Sequence, residues 1–114
     1  MTNIASPTKD LPVSIPGSAA IELNFIVAAV SEEMDVPVKA MMMQSWASGP
    51  EARARQVAMY LYWLAHPAKG YSRDLAVFFD REVSTVCHNV RRMKALMGNR
   101  KVARVVKNVQ KRLK

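Results

Sequence analysis

Apolar residues recur at helical spacing from position 18 onward, interrupted by proline, glycine and capping residues. Residues 1–17 place Pro7, Pro12, Pro16 and Gly17 among Ser and Thr, which predicts a flexible N-terminal arm. Ser18 is a cap for a first helix whose apolar positions are Ile21, Phe25, Ala28 and Ala29, ending near Met34. Asp35 opens a short helix with Pro37 in its first turn, carrying Val38, Met41 and Met42. Ser48-Gly49-Pro50-Glu51 is a capping box, in which the serine takes an orphan amide at Glu51 and the glutamate reaches back. The helix behind it runs through Val57, Ala58, Leu61, Leu64 and Ala65 and meets Pro67 and Gly70. Ser72 then caps a helix from Arg73 to about Phe79, with Leu75, Ala76 and Phe79 inward. Asp80 caps the next, from about Arg81 to Met97, which Gly98-Asn99 ends. A last helix from about Lys101 lines up Val102, Val105, Val106, Val109 and Leu113. No alternating strand pattern of useful length occurs, so the expected fold is all-α with about six helices in one domain over 18–114.

The segment 82–97 has two distinct faces. Val86, Val90, Met93 and Met97 form an apolar stripe that must pack on the core. Ser84, Thr85, His88, Asn89, Arg91 and Arg92 turn away from it, a set able to hydrogen-bond base edges and phosphates. A short helix, a tight turn and then a helix divided in this way is a helix-turn-helix pattern, in which the second helix enters the major groove of duplex DNA amino end first. The same pattern also describes an amphipathic surface helix with a solvated basic side.

Charge favours the first of these. The net charge is +8 and the pI about 10.1. Residues 1–50 hold two bases and five acids, net −3, whereas residues 51–114 hold fifteen bases and four acids, net +11. No acid follows Glu82, while ten bases do. A field this one-sided attracts polyanions, with nucleic acid first and an anionic membrane second. The 114 residues leave no room for a helicase, a polymerase or a two-domain ATPase. No apolar run approaches the roughly 18 residues of a membrane span, and no secretory signal is visible. With one cysteine, Cys87, and no internal disulfide, a cytoplasmic, nucleoid-associated location is expected.

Two stretches resemble a known family. Glu51-Ala52-Arg53-Ala54-Arg55-Gln56-Val57-Ala58-Met59-Tyr60-Leu61 is similar to the "ARxRQxAMYL" helix of the C-terminal DNA-binding domain of the bacterial replication initiator DnaA. Phe79-Asp80-Arg81-Glu82-Val83-Ser84-Thr85-Val86-Cys87-His88 resembles that domain's "F-G-G-R-D-H-T-T-V-x-H" signature, and Arg91-Arg92 follow where the family has a basic pair. The resemblance spans roughly residues 18–114 and implies an all-helical, Trp-repressor-like helix-turn-helix domain that binds double-stranded DNA and regulates replication or transcription by occupying sites.

Carried over residue by residue, the resemblance makes Arg81, Glu82, Val83, Ser84 and Thr85 the start of a recognition helix. An arginine can address guanine, a carboxylate can accept from a base amino group, and a threonine methyl can touch thymine. Arg53, Arg55 and Gln56 of the first motif, and Lys69 in the turn before the helix-turn-helix, are then expected to position the phosphate backbone. His88 matches a family position. The chain departs from the family at Val83, where the family has histidine, at Glu82 in place of aspartate, and in the single residue, Asp80, between Phe79 and Arg81. The loop Gln44-Ser45-Trp46-Ala47-Ser48-Gly49-Pro50 lacks the family's base. No G-x-x-x-x-G-K-[ST] loop is present, so the chain resembles the family's reading head without its ATPase.

Other chemistry is weakly encoded. Cys87, His88 and His66 lack the spacing and number of a metal site, and no cofactor is expected. A hydrolase built on Ser84 and His88 lacks an orienting third group, so no enzyme is expected. Met41-Met42-Met43 are either core edge or a surface for a protein partner, and Trp46 is placed to stack on DNA or to serve a partner, the basis of an alternative reading as an interaction adaptor. The last helix, with Lys101, Arg104, Lys107, Lys111 and Arg112 between its apolar positions, has the form of a membrane-surface helix, but its valines favour docking on the domain.

Overall fold

From Ala54 to Tyr62 the chain is apolar on nearly every side of a helix, and a helix greasy all round belongs in the middle of its fold. In the computed structural model, which describes residues 15–43, 49–68 and 70–114, that helix is the centre. Six helices and no strand occur among the described residues: α1 (Gly17–Met34), α2 (Val38–Met42), α3 (Pro50–Ala65), α4 (Tyr71–Phe79), α5 (Val83–Leu96) and α6 (Arg100–Arg112). α3 buries Ala54, Val57, Ala58, Met59, Tyr60, Leu61 and Tyr62. α1 and α5 pack on it, α2 lies across it, α4 rests on α5, and α6 closes over α1.

α1 turns three of its four expected inner positions outward and keeps Ala29 inside. Ala19, Leu23, Ile26, Val27, Ala29 and Val30 point inward, while Ile21 and Phe25 are 61% and 67% exposed and Ala28 is exposed too. Two apolar stripes run along α1 at the same period, and periodicity alone does not choose between them. The smaller stripe lets α1 approach α3 closely. The large side chains of the other stripe stay outside.

Helix ends also differ from the pattern. α1 begins at Gly17 behind an extended Pro16 whose carbonyl accepts from Ala20 N at 3.1 Å, so Ser18 caps nothing. α4 begins at Tyr71 behind Gly70 (φ 111°), which puts Ser72 inside the helix. Asp80 is the end of α4 rather than the cap of α5: it takes the left-handed conformation (φ 54°). Arg81 N then bonds Ala76 O at 2.9 Å and Asp80 N bonds Val77 O at 3.3 Å, a Schellman closure. α5 therefore starts at Val83, with an extended Glu82 before it. Ile15 packs on the core, while the arm at 1–14, Ser48 of the capping box, Trp46 and Lys69 lie outside the described residues.

α6 is the best-anchored end. The Asn99 side chain accepts from Lys101 N (2.9 Å) and Val102 N (3.3 Å). At the far end, Asn108 Nδ2 donates to Glu33 Oε2 at 3.0 Å, and Arg112 reaches Glu33 at 3.1 Å and Glu32 at 3.0 Å. The Asn108 amide and the Arg112 guanidinium hold the Glu33 carboxyl below its ordinary value of 4.5. A carboxyl lowered by folding adds stability that is present above that value and is lost as pH falls through the folded value. Thermal unfolding between about pH 7 and pH 3 is expected to show Tm declining below about pH 4.5, where the ordinary carboxyl begins to protonate. Glu33→Gln is expected to melt lower at neutral pH, with its gap to the wild type closing over the same acid range.

Candidate nucleic-acid interface

The amino end of α5 stands out of the globule. Val86, Val90 and Met93 are buried and Met97 is half-buried, so the predicted inner stripe seats the helix on the core. On its other side Glu82, Val83, Ser84, Thr85, His88, Arg91 and Arg92 are all exposed. Val83 is 47% exposed, a bare apolar side chain at the tip. Lys94 ties the far end of the helix to α3, with Nζ 4.9 Å from the Trp63 ring centroid.

Beside this tip α3 and α5 face each other across an open cleft of about 350 Å3 lined by Gly49, Ala52, Arg53, Gln56, His88, Asn89 and Arg92. Gly49, Ala52, Arg53 and Gln56 share one side of α3, and His88, Asn89 and Arg92 one side of α5, because residues three and four apart sit above one another. Among the described residues two guanidinium groups and no carboxylate line the cleft, which makes it an electropositive notch. Gly49 and Ala52 are not among the expected site residues. Gly49 belongs to the capping box and Ala52 to the first motif, two turns and one turn ahead of Gln56.

Two residues expected to reach outward form the wall between the helices instead. Gln56 Nε2 donates to Asn89 Oδ1 at 3.4 Å, and Asn89 Nδ2 reaches Met59 Sδ at 3.6 Å. Both are half-buried, and Gln56 Oε1 is buried without a partner among the described residues. The amide pair sets the spacing of α3 and α5 and leaves Arg53, His88 and Arg92 as the groups that border the opening.

Two arginines serve the fold. Arg55 is only 6% exposed, and its Nη1 donates to Met41 O at 3.3 Å, at the end of α2. It is not free to hold a phosphate. It lies two positions along α3 from Arg53, and residues two apart on a helix point to different sides. Burial, and then the neighbouring Arg81 charge, push the Arg55 guanidinium below its ordinary value. Arg81 is half-buried and donates to Phe79 O (2.9 Å), Asp80 O (3.2 Å) and Met43 O (2.7 Å). It therefore secures the turn before α5, which starts two residues later at Val83. Of the methionines, Met41 is buried, Met42 half-buried and Met43 exposed.

Among the described residues no group of three His, Cys, Asp or Glu side chains could hold a metal ion. His66 pairs with Glu22 at 2.7 Å, and half-buried Cys87 accepts from the Tyr71 hydroxyl at 3.9 Å. No described helix is long and apolar enough to cross a membrane.

The two arginine classes are separable by unfolding. In urea, Arg55→Ala is expected to lose about 2–4 kcal/mol, because a cavity forms and the Met41 carbonyl is orphaned. Arg92→Ala is expected to stay within about 0.5 kcal/mol of the wild type. Set beside known proteins, the chain matches no family model and no curated protein.

Proposed function

We propose that this chain is a sequence-preferring double-stranded DNA-binding module of the DnaA C-terminal type, with a Trp-repressor-like helix-turn-helix formed by α4 and α5. It regulates replication or transcription by occupying sites, as a binder without catalytic chemistry. The observation that carries the reading is the exposed amino end of α5 set next to an acid-free cleft: Val83, Ser84 and Thr85 project beside Arg53, His88 and Arg92.

The geometry supports distinct tasks for these side chains. Ser84 and Thr85 offer hydroxyls, Thr85 and Val83 offer methyl groups to a thymine, and Glu82 accepts from a base amino group. Arg53 and Arg92 border a notch of the right sign for a backbone phosphate, and such contacts fix register without reading sequence. Arg91, exposed on the same helix, adds a further cation. Burial leaves Arg55 out of the proposed interface. With Val83 in place of a histidine and no base at residues 44–50, the preferred site differs from the family's own box.

Selection of bound duplexes from a random pool at physiological salt tests this directly. The expected result is an enriched site, on which Glu82→Ala or Thr85→Ala each costs roughly 5- to 150-fold in affinity, equivalent to about 1–3 kcal/mol per lost base contact. The same variants should bind random duplex as the wild type does. A pool that binds without enrichment, or Thr85→Ala with an unaltered preference, overturns the reading.

A further inference from the structure

We propose that the outer face of α6 is a second, sequence-blind surface that lies along the phosphate backbone of duplex DNA outside the stretch met by α5. It rests on the proposed function only for the choice of duplex DNA as the polyanion. Arg100, Arg104, Lys107 and Lys111 follow one another at steps of four and three residues. At about 100° per residue they fall within an arc of about 60° about the helix axis. All four are exposed, and none makes an ion pair or side-chain hydrogen bond among the described residues.

The stripe is held in place before any partner arrives. Val106 and Val109 are buried on the opposite side of the helix, Asn99 caps its start, and Asn108 and Arg112 bind Glu33 at the other end. Arg112 is thus the base of this helix that the fold consumes, and it stands off the stripe. A helix fixed at both ends does not give up backbone freedom when its charges meet a ligand.

Spacing and chemistry select the occupant. From Arg100 to Lys111 the stripe runs about 16 Å at about 1.5 Å per residue. Duplex DNA carries about one charge per 1.7 Å of its axis, a surplus of phosphates over the bases of the stripe. No large apolar side chain interrupts the four bases, so the face lacks the buried anchors on which a protein partner's affinity depends. An interfacial membrane helix needs an apolar face to bury in lipid, and the valines of α6 are already committed to α1 and α3. What remains is the wet, charge-only contact typical of a nucleic-acid backbone.

The test compares the full chain with a triple variant, Arg104→Gln, Lys107→Gln and Lys111→Gln, on a random-sequence duplex of about 30 base pairs across about 50–300 mM salt. Glutamine keeps the helix and removes only charge. The log–log salt slope of the wild type is expected to flatten by about 2.5–3 in the variant, with every sequence weakened by the same factor. Sequence preference and thermal stability are expected to stay as in the wild type. An unchanged slope overturns the proposal, and so does a wild-type chain that ignores duplex at low salt. Binding to phosphatidylglycerol vesicles that the triple variant loses, with duplex binding intact, also overturns it in favour of a membrane surface. If the chain shows no sequence preference yet the slope still falls, the α6 surface stands and the reading assigned to α5 fails. A lost preference in Thr85→Ala with an unaltered slope in the α6 variant means the reverse: α5 reads sequence and the α6 proposal fails.

Discussion

Two guanidinium groups converge on the carbonyl end of a five-residue helix, and the position of α5 follows from that meeting. Arg55 rises from the central helix to Met41 O, and Arg81 reaches from the turn before α5 to Met43 O. Arg55 is a cation in surroundings that hydrate it poorly, and it compensates by donating to a main-chain oxygen. Arg81 is half-buried, and it adds side-chain bonds to Phe79 O, Asp80 O and Met43 O to the backbone bonds that end α4. The left-handed Asp80, where glycine is the usual occupant, directs the chain sharply into α5. Exposure of Val83, Ser84 and Thr85 is thus the outcome of an arrangement whose fixed points are Met41, Met43 and Phe79.

The inner side of the fold is largely legible from residue spacing. Val86, Val90 and Met93 go inside as the period demands, as do Leu75 and Phe79. Spacing fails at α1, because Ile21-Phe25 and Leu23-Val27 share the same period and only the partner helix distinguishes them. Helix starts differ from expectation at Ser18, Ser72 and Asp80 for a common reason. A residue with a capping side chain signals that an end is near, but a neighbouring proline, glycine or left-handed turn decides on which side of it the helix begins. On the candidate interface the exposed members of α5 follow from the pattern, whereas the fates of Arg55, Arg81, Gln56 and Asn89 do not. All four contact residues far away in the chain, at 14 to 38 positions' separation, and no local pattern encodes such contacts.

The basic half of the chain is consequently not one undifferentiated field. Arg55, Arg81 and Arg112 are occupied by carbonyls and carboxylates of the same molecule, and Lys94 lies over Trp63. Most of the described bases left over fall into two sets, and Arg73 on α4, Lys101 and Lys114 belong to neither. Arg53, Arg91 and Arg92 lie on α3 and α5, while the outer stripe of α6 runs over a helix that packs on α1 and α3. A net charge read from composition counts both sets and the consumed bases alike, and so overstates what any one partner meets.

Separate sets of cations also separate two quantities that one patch would merge. Phosphate contacts contribute equally on every sequence and decline steeply with salt, whereas contacts to base edges change little with salt and differ between sites. A chain with both has an affinity dominated at low salt by its sequence-blind part, and the preference set by α5 emerges only as that part is screened. The ratio of specific to random binding, rather than the strength of either, is then the property on which the side chains at the start of α5 act. On the proposed reading, charge on α6 would shift both affinities together and leave that ratio to Glu82, Ser84 and Thr85.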